Sequence, residues 1–125
     1  CGSLTDAKNL FMEILDRDVV TWNAMIAGLT KHGHHEDALS FHQQMLLEGI
    51  HPDPVSFVSA LSACTASEDL EHGRRIHSQI VKSTDFVNIF VENALIDMYG
   101  KCGCLTTALK VFDNMGKRML SRGIH

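Results

Sequence analysis

From Val19 onward the apolar residues fall into short stripes with helical spacing, separated by glycine or proline. Trp22, Met25, Ile26 and Leu29 stand at i, i+3, i+4 and i+7, which places them on one face of a helix. Gly33 interrupts the stripe, and Ala38, Phe41, His42 and Met45 begin another. Gly49 with Pro52 ends that second helix, because Gly suits the position after a helix and Pro cannot continue one. The pattern then recurs. At a shift of 35 residues Trp22 falls on Phe57, Met25 on Ala60, Ile26 on Leu61, Leu29 on Cys64, Ala38 on Gly73 and Met45 on Ile80. At a shift of 70, Met25, Ile26, Leu29, Ala38 and Met45 fall on Leu95, Ile96, Tyr99, Ala108 and Met115. Every match sets apolar on apolar or small on small. Internal periods of roughly 20–50 residues mark solenoids, so the predicted fold is all-α, an α-solenoid of stacked helix-turn-helix hairpins.

The units span residues 19–53, 54–88 and 89–119. Helices are predicted near 21–31 and 35–48, 54–66 and 70–83, and 91–100 and 105–114. Asp53-Pro54 makes a good helix start, since Asp caps and Pro is favoured at the first helical position. The third unit has only 31 residues, and the missing ones come from the loop after its second helix. Residues 1–18 match 102–119 at Cys, Gly, Leu, Thr, Ala, Phe and Arg, and read as the second helix of a short unit whose first helix is absent. Seven helices are therefore expected, one lone and six in hairpins. The stripe Leu4, Ala7, Phe11 and Ile14 packs on the next hairpin alone. End-to-end self-association of such a truncated solenoid is expected. Residues 120–125 form a tail that continues no pattern.

Composition narrows the chemistry. A chain of 125 residues suits one domain with a modest core. No apolar run approaches the 18 or so residues a spanning helix needs, so no membrane partner is expected. The chain begins with Cys1 and not Met, no signal or transit segment precedes it, and both ends read as cut from a longer chain. Cys1, Cys64, Cys102 and Cys104 lack zinc-finger spacing and read as reduced structural residues. His32, His34 and His35 resemble a metal tract but fall in an inter-helix turn, where a solvated role fits better. No metal and no cofactor is expected. His42 and His77 hold equivalent places, shared in the short units by Phe11 and Phe112, and read as core residues between helices. No Ser/His/Asp set, phosphate loop or paired acid motif is present, so the chain reads as no enzyme. The net charge of −4 argues against non-specific polyanion binding. Single-stranded RNA stays open provided its binding face differs from the whole.

The stretch VVTWNAMIAGLTKHGHHEDAL…M…GIHPD strongly resembles the pentatricopeptide pattern VxxYNxLIxGxxKxGxxxEAxxLFxxMxxxGxxPD. The tetratricopeptide signature W-x2-L-G-x2-Y is absent. Lengths and textures resemble the plant PLS subclass: residues 1–18 the second helix of a partial S motif, 19–53 a P motif, 54–88 an L motif and 89–119 an S motif. The resemblance implies a right-handed superhelix whose first helices line one surface and whose second helices line the other. It implies sequence-specific binding of single-stranded RNA, one base per repeat, in a mitochondrial or chloroplast factor that selects cytidines for editing to uridine. The alternative it implies is a scaffold that docks an editing-cofactor protein or another ribonucleoprotein subunit. The family's deaminase signature, His-x-Glu with Cys-x-x-Cys, is absent from these residues.

The family places its base-reading pair at the fifth and last residues of a repeat, here Asn23 and Asp53. An amide offers both donor and acceptor to a base edge, and the acceptor-only Asp orients it or a bridging water. By resemblance this pair prefers uracil and tolerates cytosine. Asp53 is also a natural N-cap, and both roles can coexist. The third repeat has Asn93 in the fifth place but Met119 in the last. The middle one has Val58 and Asn88, and the opening fragment keeps only Asp18. One complete pair remains. The family's second residue wedges the base: Val20, Val55 and Phe90. Lys31 and Lys101 share the thirteenth place, where a cation meets either phosphate or the helix C-terminus.

Overall fold

The computed structural model describes residues 9, 10, 18–83 and 89–121, the last seven by their backbone only. Within these lie six helices: α1 (Val19–Lys31), α2 (His35–Leu47), α3 (Pro54–Ser67), α4 (Leu70–Lys82), α5 (Ile89–Lys101) and α6 (Leu105–Ser121). There is no strand among the described residues. The expected lone helix of residues 1–18 lies outside them except for Asn9 and Leu10, which are helical. First helices start at 19, 54 and 89 and second helices at 35, 70 and 105, so both series keep the 35-residue period.

The starts follow from local chemistry. Asp18 caps α1 by accepting from the Thr21 backbone N–H at 3.0 Å, so the helix opens two residues before the predicted start. Asp53 caps α3 in the same way, with Pro54 in the first turn. Asp69 caps α4, accepting from the His72 backbone N–H at 3.1 Å and lying 2.8 Å from its ring Nδ1. The hairpin turns need a left-handed residue: Gly33 has φ 85° and Gly103 has φ 82°. Glu68 occupies the equivalent place in the middle hairpin with φ 54°, a conformation that costs a side-chain-bearing residue about 1 kcal/mol. The last helix departs from expectation, running to Ser121 and not ending near 114. Gly116 has no proline behind it, unlike Gly49, and Lys117, Arg118, Met119 and Leu120 are all good helix formers.

The helices pack as an α-solenoid of hairpins. First helices touch in series, α1 on α3 and α3 on α5. Each second helix packs against its own first helix and the next one, α2 on α1 and α3, α4 on α3 and α5. The middle first helix, α3, thus packs against four others, and Phe57, Ala60, Leu61, Ala63 and Cys64 are all 0% exposed. Burial pushes the Cys64 thiol up to about 12, which keeps it protonated and inert. On α1, Trp22, Ile26 and Leu29 form the buried stripe, with Trp22 edge-on to Phe41 of α2 at 6.1 Å. Gly73 lets α4 approach α5 closely, since a Cβ there would sit 2.4 Å from Met98 Sδ.

His42 and His77 each form a joint to the following hairpin. His42 is buried, with Nε2 3.0 Å from Gln79 Oε1 on α4 and its ring 6.3 Å from that of Phe57. His77 is half-buried, with Nδ1 2.7 Å from the Tyr99 hydroxyl. Phe112 corrects the sequence reading of this position as core, being 62% exposed because no described hairpin follows α6.

Burial lowers the pKa of both histidines, offset at His42 in part by the bond to Gln79. His42 Nδ1 is buried without a partner, so a second ring proton would find no acceptor. The unfolded chain therefore protonates first. The stability that the neutral rings confer is complete above the unfolded value of about 6.5 and falls as pH drops through the lower folded values. Urea melts should show a lower midpoint at pH 5 than at pH 7.5, and His42→Phe should shrink that difference. An unchanged difference in the variant would remove His42 from the account.

Candidate functional site

Asn23 is the fifth residue of α1, and Asp53 precedes α3 thirty residues later. The packing of α1 on α3 brings the two together, and Asn23 Nδ2–H donates to Asp53 Oδ1 at 2.9 Å. The same carboxylate oxygen accepts from the Ser56 backbone N–H at 3.0 Å. Ser56 closes a capping box, its Oγ accepting from the Asp53 backbone N–H at 3.1 Å. That hydroxyl also lies 2.5 Å from Asn23 Oδ1, to which it donates. Asp53 is therefore both the cap of α3 and the partner of Asn23.

The electrostatics suit a fixed carboxylate. Partial burial raises the Asp53 pKa, but the Ser56 backbone N–H, the Asn23 amide and the Ser56 hydroxyl lower it further, so the net shift is downward. Asn23 is 8% exposed, yet half of its hydrogen-bonding capacity is unused. One amide N–H and one carbonyl lone pair remain after Asp53 and Ser56 have taken the others. Asp53 Oδ2 engages in none of these contacts. A small polar edge of one donor and two acceptors thus sits at the junction of two hairpins.

The other predicted positions differ from this one. Val58 and Asn93 are also the fifth residues of their helices. Val58 is half-buried, and Asn93 is exposed, with no described hairpin after α6 to cover it. Asp18 is exposed and bonds to Thr21 through backbone N–H and hydroxyl, its pKa lowered chiefly by that backbone bond. Asn88 and the side chain of Met119 lie outside the described residues. Val20, Val55 and Phe90 are exposed at 68, 56 and 71%, as any surface against which a flat ring could lie must be. Lys31 is exposed at the end of α1. Lys101 lies in a shallow groove of about 450 Å³ between α3 and α5, lined also by Ser62, Thr65, Ala66, Glu68 and Asp97. Two carboxylates there offset its charge.

Ser56 escaped the sequence reading because, in the apolar run PVSFVSALSAC, it reads as a small helix residue. The usable signal was Asp53-x-x-Ser56, an N-cap followed at the third helical position by a side chain that can reach back. Among the described residues no group of His, Cys, Asp and Glu could hold a metal, and no helix is long and apolar enough to cross a membrane.

A model of the PPR repeat family matches residues 17–66 and a PPR repeat model matches residues 93–120, together over half of the chain. Similar proteins come from Arabidopsis thaliana. One, a pentatricopeptide repeat-containing protein named as chloroplastic, is 46% identical over 120 residues, covering 96% of this chain and 19% of the relative. A second named as chloroplastic is 42% identical over 120 residues, 96% of this chain and 15% of the relative. One named as mitochondrial is 39% identical over 118 residues, 94% of this chain and 12% of the relative. The chain spans a fifth or less of the length of these relatives.

Proposed function

The chain belongs to the pentatricopeptide repeat family, and from that membership we propose that it is a sequence-specific, single-stranded RNA-binding segment reading one base per repeat, drawn from an organellar C-to-U editing specificity factor of the PLS subclass. The repeats in this reading are a P motif at 19–53, an L motif at 54–88 and an S motif at 89–119, after a partial S motif. An organellar setting is supported by relatives named as chloroplastic and mitochondrial.

One observation carries the proposal. Asn23 and Asp53 are hydrogen-bonded across a hairpin junction, and the unused donor and acceptors of the pair form a small polar edge. A base wedged between Val20 and Val55 would present its Watson–Crick edge there. Stacking supplies the hold and the amide supplies the choice. The test is to join the whole chain in register to a longer repeat array and vary the RNA base opposite residues 19–53. Uracil should bind best, and Asn23→Thr should move the preference to a purine, as the family's code implies. Equal affinity for all four bases would end the assignment of Asn23 and Asp53.

Alone, the chain should bind RNA barely or not at all in a titration at physiological salt. It has one complete pair, and stacking is worth about 1–3 kcal/mol per base against an association cost of at least about 4 kcal/mol. Lys101 shares its groove with Asp97 and Glu68, so counterion release adds little. Nanomolar binding by the isolated chain would contradict address by many weak repeats. A protein-docking scaffold remains the second reading, favoured by a groove of about 250 Å³ between α2 and α4, where Leu39, Leu46, Leu47 and Ile76 meet Arg75 and Gln79.

A further inference from the structure

We propose that Ser56 is a specificity-determining positioning residue: its hydroxyl fixes which way the Asn23 amide faces, and so decides between uracil and cytosine. This rests on the base-reading role of Asn23 and Asp53 and goes beyond it, because Ser56 belongs to the following hairpin.

The two ends of an asparagine amide have nearly the same shape and opposite hydrogen-bonding character. Uracil and cytosine differ in the same way on their pairing edges. Uracil offers N3–H beside a carbonyl oxygen, and cytosine offers bare N3 beside an amino group. Turning the amide over therefore exchanges the pyrimidine it matches. Asp53 Oδ1 holds Nδ2 at 2.9 Å, but that bond draws on one partner alone. Ser56 supplies the second. Its Oγ has one proton and sits within reach of both Asn23 Oδ1 at 2.5 Å and Asp53 Oδ1 at 3.0 Å. A proton turned toward Asp53 would leave two lone pairs facing each other across the shorter contact. The proton therefore lies toward Asn23, and the Asp53 backbone N–H, donating to the same Oγ at 3.1 Å, favours that orientation. A turned-over amide would set its oxygen against the Asp53 carboxylate, and its N–H would be met only if the Ser56 proton left Asn23 for Asp53 Oδ1 at 3.0 Å. Ser56 is 0% exposed, so water cannot take its place.

The chain contains its own comparisons. Thirty-five residues earlier, Thr21 stands where Ser56 does and makes the same contacts to Asp18, through backbone N–H at 3.0 Å and hydroxyl at 3.1 Å. In the next hairpin the equivalent residue is Val91, 0% exposed. The fifth-place residue that Val91 serves is Val58, which has no amide to orient. A polar reader is matched by a hydroxyl and an apolar one by a methyl group.

Thr and Val have the same shape and both occur at this place, so they make the test. In the extended array described above, RNAs carrying uracil or cytosine opposite residues 19–53 are titrated against the parent, Ser56→Thr, Ser56→Val and Ser56→Ala. The parent and Ser56→Thr should keep the same uracil-over-cytosine ratio. Ser56→Val and Ser56→Ala should lose about fivefold of it, the worth of one neutral hydrogen bond, with helicity by circular dichroism unchanged. A Ser56→Val ratio equal to that of Ser56→Thr overturns the proposal while leaving the base-reading pair intact. A parent array with no base preference overturns both. Should Ser56→Val lose helicity, the Ser56→Ala ratio decides by the same criterion, since Ala fits any helix and keeps the Asp53 cap to the backbone.

Discussion

Phe57→Ala is expected to remove most of the stability of this chain. The ring sits on α3, which packs against four other helices, and is 0% exposed. Truncating a buried Phe costs about 3–5 kcal/mol, made of lost transfer energy and the cavity left behind. A small domain has only about 5–15 kcal/mol in total. Neighbours cannot collapse into the space, because Leu61 and Cys64 are themselves fully enclosed and held by flanking helices. Urea unfolding followed by circular dichroism measures the loss. Phe112→Ala is the control, being 62% exposed on α6, and should shift stability by no more than about 0.5 kcal/mol. Equal losses at both positions would mean that the hairpins melt independently, with no shared core around α3.

Asp53→Ala should have the next largest effect. Losing an N-cap carboxylate costs about 1 kcal/mol, up to 2. The buried Asn23 amide would also lose its acceptor, which costs about 1–3 kcal/mol more. Asp18 separates the two contributions, because it caps α1 but holds no side chain from another hairpin in any contact described. Asp18→Ala should therefore cost only the capping term. The gap between the two variants is the energy of the junction, and no gap would mean that Asn23 contributes nothing to it. The pH response carries the same sign information. The Asp53 pKa is lowered on folding, so its contribution is present above the unfolded value of about 3.9 and is lost as pH falls below it. Acid should therefore act in two stages, first on His42 and His77 and then on the capping carboxylates.

Much of this was legible from residue spacing. The stripes that begin at Trp22 and at Ala38, with their repeats 35 and 70 residues on, located all six described helices, and the second-helix starts at 35, 70 and 105 came out at the predicted residues. Those signals are local, since apolar periodicity and cap chemistry act within a turn or two. The partners of His42 and His77 were not legible, because Gln79 and Tyr99 meet them only after hairpins stack. Asn23 and Asp53 were named by resemblance, but their direct bond and the part played by Ser56 depend on how α1 and α3 pack. The exposure of Phe112 was missed for the same reason in reverse, since repeat periodicity assigns a place in the unit and says nothing of whether a neighbour covers it. Glu68 in a left-handed turn was hidden because the sequence offered no glycine there to mark it.

The contacts between Asn23, Asp53 and Ser56 bear on how such chains can be recombined. Written as a string, the unit ends at Asp53, and cutting after it looks clean. Chemically the cut falls inside one hydrogen-bonded group, whose third member lies three residues into the next unit. A cassette excised as 19–53 and spliced before a unit that begins differently would carry its letters but meet a stranger in place of Ser56. Shuffling at that seam changes two units at once: the one moved and the one it lands against. A seam placed just after Ser56, in the first turn of α3, leaves the group whole, and a cassette of residues 22–56 would transplant the trio intact.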